Sequence, residues 1–219
     1  MIVKLVNYTQ NNKDMTLFDQ VAYCARVSNP SNQDNKDNKK LIRYLIKNKH
    51  WSPFEMVNVC LEIQTTRDIA KQILRHRSFS FQEFSQRYAQ PNELGAMFSV
   101  RECRLQDKVN RQNSIKTDNK ALTKEWTDKQ QEIIDKSKEV YEWAIKNGIA
   151  KEQARAVLPE GCTNTKLYMN GTLRSWMHYI LLRRGNGTQK EHAEIAQTCE
   201  VVLGILLKDK NWLTLPSGD

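Results

Sequence analysis

Met56-Val57-Asn58-Val59-Cys60-Leu61-Glu62-Ile63-Gln64 is the stretch on which the fold turns. Val57, Val59, Leu61 and Ile63 alternate with Asn58, Cys60 and Glu62, a period of two that predicts a strand over residues 56–64. Before it, Ser52-Pro53-Phe54-Glu55 has the form of a helix start, Ser ahead of Pro with Glu three residues on. With a strand following, that cap serves only a short turn. After it, Ile69, Ile73 and Leu74 return to helical spacing over residues 66–76.

The pattern continues outward on both sides. Residues 1–7 alternate as a strand. Thr16 and Asp19 make a weak capping box that opens a helix over 16–27. Leu41, Ile42, Leu45 and Ile46 mark a helix over 39–48, reached through the polar loop 29–38. Residues 89–98 read as irregular and 99–105 as a second strand. A long helix over 118–147 stops near Gly148, and a short one over 150–157 stops before Pro159. Leu173, Trp176, Met177, Ile180 and Leu181 form one side of a helix over 172–184. Thr188 and Glu191 repeat the capping box and open a last helix to about Leu207. Strands and helices do not strictly alternate. The expected class is α+β, with a central, mostly antiparallel sheet and flanking helices, in a single domain over residues 1–219.

Composition excludes several classes. The chain has 219 residues, 39% hydrophobic and 27% charged, enough for a real core and unlike a disordered chain. No apolar run approaches the ~18 residues of a membrane span, and the N-terminus lacks a signal peptide's apolar stretch. Five scattered cysteines without a C-x-x-C suggest a reducing compartment, hence the cytoplasm. The Asn-x-Thr sequons at Asn170 and Asn186 are then chance matches. A net charge of +9 favours anionic partners.

His50, His76, His178 and His192 have no metal-ligand spacing, and neither a dinucleotide fingerprint nor a P-loop is present. With eight glycines, phosphate binding falls to side chains, above all Arg, whose planar fork meets phosphate in a bidentate way. Attention therefore goes to residues 72–88. Gln72, Arg75 and His76 are three and four apart, so they share a helix face. Glu83, Ser85 and Arg87 alternate with Phe84 and Gln86 and point one way if extended. Donors for phosphate, a carboxylate for a ribose hydroxyl and aromatic faces then stand together. The competing reading is a basic helix end satisfying the helix dipole. Taken alone, Arg155 reads as a surface or salt-bridged residue. Arg174 and His178, at i and i+4, are a solvated face opposite Trp176 and Ile180. His50 is a loop histidine, and Cys60 and Cys199 belong to the core.

Residues 75–88, Arg-His-Arg-Ser-Phe-Ser-Phe-Gln-Glu-Phe-Ser-Gln-Arg-Tyr, closely resemble the signature of the flavin-dependent thymidylate synthases. Gln82 stands where the family commonly has Asn. Four further blocks resemble the family in its order: Ala25-Arg26-Val27-Ser28, His50-Trp51-Ser52-Pro53-Phe54-Glu55, Ala154-Arg155-Ala156-Val157-Leu158-Pro159, and Leu173-Arg174-Ser175-Trp176-Met177-His178-Tyr179 through Arg183. Together they span nearly the whole chain. The Phe-Gln-Glu-Phe-Ser-Gln-Arg-Tyr variant looks most like virus and phage members, which would place the protein in a host cytoplasm.

The resemblance implies an α+β subunit in a homotetramer with shared active sites. It implies methylation of dUMP to dTMP, with 5,10-methylenetetrahydrofolate as carbon donor and FAD reduced by NADPH. It implies no metal, no nucleic-acid or membrane partner, and no cysteine nucleophile. By the same resemblance Gln72, Arg75, Glu83, Phe84, Ser85, Gln86, Arg87 and Arg155 match positions that hold dUMP. Arg183 matches the catalytic arginine that meets and polarises the uracil ring. Ser28, Ser52, Arg75, His76, Arg77, Glu83, Thr172, Arg174 and His178 match positions that contact FAD. At Thr172 and His178 the family often carries Asn, and a family His just after the Arg183 position corresponds here to Gly187 or is missing. Ser85 lacks an evident paired base, so a hydrogen-bonding role is expected of it rather than nucleophilic attack. Three rival readings remain: a nucleic-acid binder stacking bases on Phe79, Phe81 and Phe84, a flavoprotein with another substrate, and an inactive relative.

Overall fold

The computed structural model describes residues 1–11, 13–185 and 187–213, so the Asn186 sequon lies outside the described residues. Four strands, β1 (Ile2–Tyr8), β2 (Asn58–Thr66), β3 (Ser80–Glu83) and β6 (Asn164–Thr172), form one sheet in the order β1-β2-β6-β3. Every neighbouring pair is antiparallel. β4 (Arg104–Gln106) and β5 (Ser114–Lys116) make a separate two-stranded ribbon. The helices are α1 (Leu17–Ala25), α2 (Lys39–Lys47), α3 (Arg67–Ile73), α4 (Lys120–Lys146), α5 (Lys151–Ala154), α6 (Leu173–Arg183) and α7 (Lys190–Leu206). The α+β class is thus the observed one.

The alternation at 56–64 does make a strand, displaced two residues along the chain. Met56 belongs to a 3-10 turn, Ser52–Met56, and β2 opens at Asn58. Val59, Leu61 and Ile63 are fully buried. The sheet has its apolar side against α3, α6 and α7. Ile69 and Ile73 of α3, Leu173, Trp176 and Ile180 of α6, and Ile195, Cys199 and Leu203 of α7 share one core with Leu167 and Met169 of β6. Trp176 donates its indole N–H to the Val59 carbonyl (3.0 Å), tying α6 to the central strand. A smaller cluster of Tyr141, Ala144, Ala154 and Leu158 joins α4 to α5.

Several boundaries differ from the sequence reading, each for a local reason. Residues 99–105 yield only the start of the short strand β4, because Arg101 is bound to Asp68, Thr66 and the Gly161 carbonyl instead of entering a ladder. The helix expected over 66–76 stops at Ile73, where the chain turns to bring Phe79 under Gly171. The Thr16–Asp19 capping box is formed. The one expected at Thr188 and Glu191 is not: Gln189 is the N-cap of α7, and the Glu191 carboxylate is engaged by Arg104 (2.5 Å). The sequence reading has no counterpart of β6. No described helix is long and apolar enough to cross a membrane.

Candidate active site

β3 is the rail along which the site is arranged. It pairs with β6 from Ser80 against Asn170 to Glu83 against Leu167, about 10 Å end to end at the usual rise of a strand. Phe79 anchors its start. The Phe79 ring sits so close to Gly171 that a Cβ there would fall 2.4 Å from Cδ1. The same ring packs edge-on against Trp176 at 4.9 Å. Phe79 is therefore core, and Phe81 packs against that core, which takes two of the three rings out of the base-stacking platform of the nucleic-acid reading.

Just before β3, the Arg75-His76-Arg77 segment divides its side chains. Because α3 ends at Ile73, Arg75 and His76 do not share its helical face with Gln72, a correction to the spacing argument. Arg75 and Arg77 are exposed and form no ion pair among the described residues. His76 turns inward and accepts a hydrogen bond at Nε2 from Arg183 Nε (3.0 Å). Its ring packs edge-on against Tyr179 at 4.9 Å. Burial, with the Arg183 and Arg75 guanidiniums nearby, pushes the His76 pKa down to about 4, so the ring is neutral at pH 7. One face of Arg183 is thereby fixed, while its Nη groups have no partner among the described residues. Gln72 faces α7, bound to Gln189 (2.8 Å) and His192 (3.3 Å).

A second group forms at the other end of β3. Glu83 accepts from Thr165 (2.9 Å) and pairs with Arg67 (3.4 Å). The backbone N–H of Phe84 donates to the Lys166 carbonyl (2.8 Å), and then the strand ends. Residues 85–88 form a turn in which Ser85 accepts the Arg87 N–H (3.4 Å). Glu83, Ser85 and Arg87 therefore do not lie in one extended row, a second correction to the spacing argument. Gln86 is buried, with its side-chain N–H donors unpartnered among the described residues, and Arg87 is exposed. The turn packs on α5: Arg87 pairs with Glu152 (3.5 Å), Lys151 bonds the Tyr88 carbonyl (2.8 Å), and Arg155 bonds the Glu152 carbonyl (3.4 Å). Arg87 and Arg155 thus both meet Glu152, one at its carboxylate and the other at its carbonyl. No hydrogen bond or ion pair among the described residues joins this group to Gln72, His76 and Arg183.

The remaining flavin candidates collect around the start of α6. Thr172 is its N-cap, accepting from the Ser175 N–H (3.2 Å). Arg174 pairs with Glu55 (2.5 Å) beside the exposed Ser52. His178 meets Trp51 edge-on at 4.9 Å. Partial desolvation there, with the Arg174 charge, lowers the His178 pKa. Ser28 is exposed at the end of the 3-10 turn after α1, and no hydrogen bond among the described residues links it to the others. Its neighbour Arg26 has a role the sequence did not reveal: it is buried and holds the 29–38 loop through the Asn35 and Asp37 carbonyls and the Asn38 side chain. Cys60, Cys162 and Cys199 all have their thiol pKa raised by burial, which makes them poor nucleophiles.

Cavities of about 610, 520 and 790 Å³ lie beside α1 and α2, at the Thr65–Thr165 end of the sheet, and beneath α4. Arg75, His76, Arg77 and Arg183 line none of these three. Arg75, Arg77 and Arg87 are exposed, whereas Arg155 and Arg183 are half-buried.

Fold and site together define an α+β protein whose candidate site is lined by arginine, histidine and amide side chains instead of a glycine-rich loop. The family model described as Thymidylate synthase complementing protein matches residues 4–203. The chain is 48% identical over 188 residues to the Paramecium bursaria Chlorella virus 1 protein named Probable flavin-dependent thymidylate synthase, covering 85% of each. It is 53% identical over 177 residues to the Flavin-dependent thymidylate synthase of Synechocystis sp., covering 80% of this chain and 79% of that one. Among solved structures, the UMP/dUMP methylase PolB of Streptomyces cacaoi bound with 5-Br UMP superimposes with a TM-score of 0.81 at 26% identity, covering 97% of this chain and 93% of the other. The chain belongs to the flavin-dependent thymidylate synthase family, and it is an enzyme.

Proposed function

We propose that this enzyme methylates dUMP to dTMP, taking carbon from 5,10-methylenetetrahydrofolate and using FAD reduced by NADPH. The observation that carries the reading is Arg183. Its Nε is fixed by neutral His76, and its two Nη groups remain for a ligand. A guanidinium so placed stabilises negative charge developing on a uracil carbonyl and makes the ring easier to alkylate. In this reading Gln72, Arg75, Glu83, Phe84, Ser85, Gln86, Arg87 and Arg155 hold the nucleotide. The exposed cations Arg75 and Arg87 suit its phosphate, and Glu83 suits a ribose hydroxyl.

The residues present also fit FAD. Arg75 and Arg77, without ion pairs among the described residues, offer guanidiniums for a pyrophosphate. Thr172, Arg174 and His178 lie on or at the start of α6, Arg174 and His178 meeting Glu55 and Trp51 on either side of Ser52, while Glu83 is at the far end of β3; in this reading His76 and Ser28 complete the FAD contacts. FAD held there and reduced by NADPH would supply the hydride needed to make a methyl group from the transferred one-carbon unit. The raised thiols support a route without a cysteine nucleophile, and Ser85 acts by hydrogen bonding. No hydrogen bond or ion pair among the described residues links the Arg183 group to the Arg87–Arg155 group, and in this reading a complete site takes them from two subunits of a homotetramer. Five free cysteines fit a cytoplasmic enzyme, in the host if the source is viral.

Purified protein reconstituted with FAD is expected to be yellow, and dUMP is expected to perturb its flavin spectrum. Arg183→Ala should lower turnover about a hundredfold, the usual scale for one preorganised donor, with flavin content retained. A protein that neither takes up FAD nor responds to dUMP would refute the proposal.

A further inference from the structure

Behind Gln72 runs a chain of polar side chains whose hydrogen-bond sense can be derived from one end. Glu191 is that end. Burial alone would raise its carboxyl, but the Arg104 hydrogen bond and the Gln189 amide bring it below its ordinary value. It is therefore an ionised, acceptor-only group, held by Arg104 (2.5 Å) with Arg101 at 3.6 Å. Gln189 must face it with Nε2 (3.0 Å). The Gln189 Oε1 then faces Gln72, so Gln72 donates to it from Nε2 (2.8 Å). That leaves Gln72 Oε1 toward His192 Nδ1 (3.3 Å), which must carry the ring proton. His192 is 0% exposed, and its Nε2 has no partner among the described residues. It sits against Tyr179 at 5.7 Å and His76 at 6.2 Å. Each link admits only one orientation once Glu191 is charged.

We infer that Gln189 and His192 are positioning residues that lock the side-chain amide of Gln72, so that it presents its second N–H to an acceptor atom of the nucleotide. The inference rests on the proposed role of Gln72 in holding dUMP. Neither residue touches the substrate. They act by removing the freedom of an amide that would otherwise turn its carbonyl to the ligand as readily as its N–H. Both lie at the start of α7, so the relay ties the nucleotide surface to the Arg104 end of the β4–β5 ribbon through Glu191.

The test uses the FAD-loaded enzyme, with dUMP titrated against the flavin spectrum. Gln189→Leu and His192→Leu should each weaken dUMP binding about tenfold, the scale of one neutral hydrogen bond, with FAD content unchanged. His192→Asn, whose Nδ2 can donate where the ring Nδ1 did, should restore affinity to within about threefold of the parent. In a Gln72→Ala background, His192→Leu and Gln189→Leu should have no further effect, because residues acting through one partner are not additive. Gln189 is only partly buried, so its variant carries the test if His192→Leu does not fold. If Gln72→Ala weakens dUMP while neither α7 variant does, or if their losses add to that of Gln72→Ala, the relay is wrong. If Gln72→Ala leaves dUMP affinity unchanged, the role of Gln72 itself falls, and the relay with it.

Discussion

At the scale of single residues, His76 and His192 carry the sharpest expectation. Burial and the Arg183 charge hold both rings to a pKa of about 4. In the unfolded chain each would protonate near 6.5. As pH falls from about 6.5 the unfolded state takes up protons that the folded state refuses, so stability present above that pH is lost down to about pH 4. For fully buried His192 the full shift corresponds to roughly 3 kcal/mol. The two rings are close enough to be coupled, so their contributions do not simply add. Urea midpoints measured at about pH 7, 5.5 and 4.5 should decline, and His192→Asn should flatten the decline; equal midpoints across that range would contradict the assignment. Gly171 gives a second test. A Cβ there meets the Phe79 ring at 2.4 Å, and that ring is wedged against Trp176. Gly171→Ala should destabilise by about 1–3 kcal/mol, as overpacked cores do. Because Phe79 closely follows Arg75-His76-Arg77, the variant should also lose FAD affinity; an unchanged melting temperature would show that the ring moves freely.

At the scale of elements, Thr172 explains why one position can serve stability and the site at once. It closes β6 and caps α6 through the Ser175 N–H. Thr and Asn both cap helix N-termini well, so the Asn often found there in the family performs the same local task. Thr172→Asn should leave the melting temperature within about two degrees of the parent, whereas Thr172→Ala should cost about 1 kcal/mol. If both lose the same stability, the cap is not what Thr172 provides. The elements also show what is legible in the sequence. β2, α4 and the Thr16 cap are readable because their apolar periods and punctuation are undiluted. β6 alternates too, with Thr165, Leu167, Met169 and Gly171 buried. But Thr165 is polar and Gly171 lacks a side chain, so the hydrophobic signal falls below that of the helix that follows. The turn at 85–88 is illegible for another reason. Alternating polarity is the same whether a chain continues extended or folds back, and here the Ser85 carbonyl accepts the Tyr88 and Ala89 N–H groups, Gln86 is buried and the turn packs on α5.

At the scale of the whole molecule, the arginine groups set the remaining problem. The family resemblance singles out Arg75, Arg87, Arg155 and Arg183, and the structure joins Arg87 to Arg155 through Glu152. It joins Arg183 to His76 instead. Sequence could not reveal that division, because contacts between distant segments, and between subunits, leave no periodicity along a chain. If a complete site draws its Arg183 group from one subunit and its Arg87 group from another, two inactive proteins should rescue each other. Arg87→Ala and Arg183→Ala subunits, each inactive alone, should regain up to about a quarter of parental turnover after denaturation and refolding together, the fraction of sites that random mixing leaves with both arginines. Light scattering of the mixture should give about four times the mass of the chain, as a closed tetramer requires. The gain must depend on co-refolding, since intact assemblies that are merely combined keep their original subunits. A co-refolded tetramer that stays inactive would place both arginines of a site on one subunit and overturn the shared site.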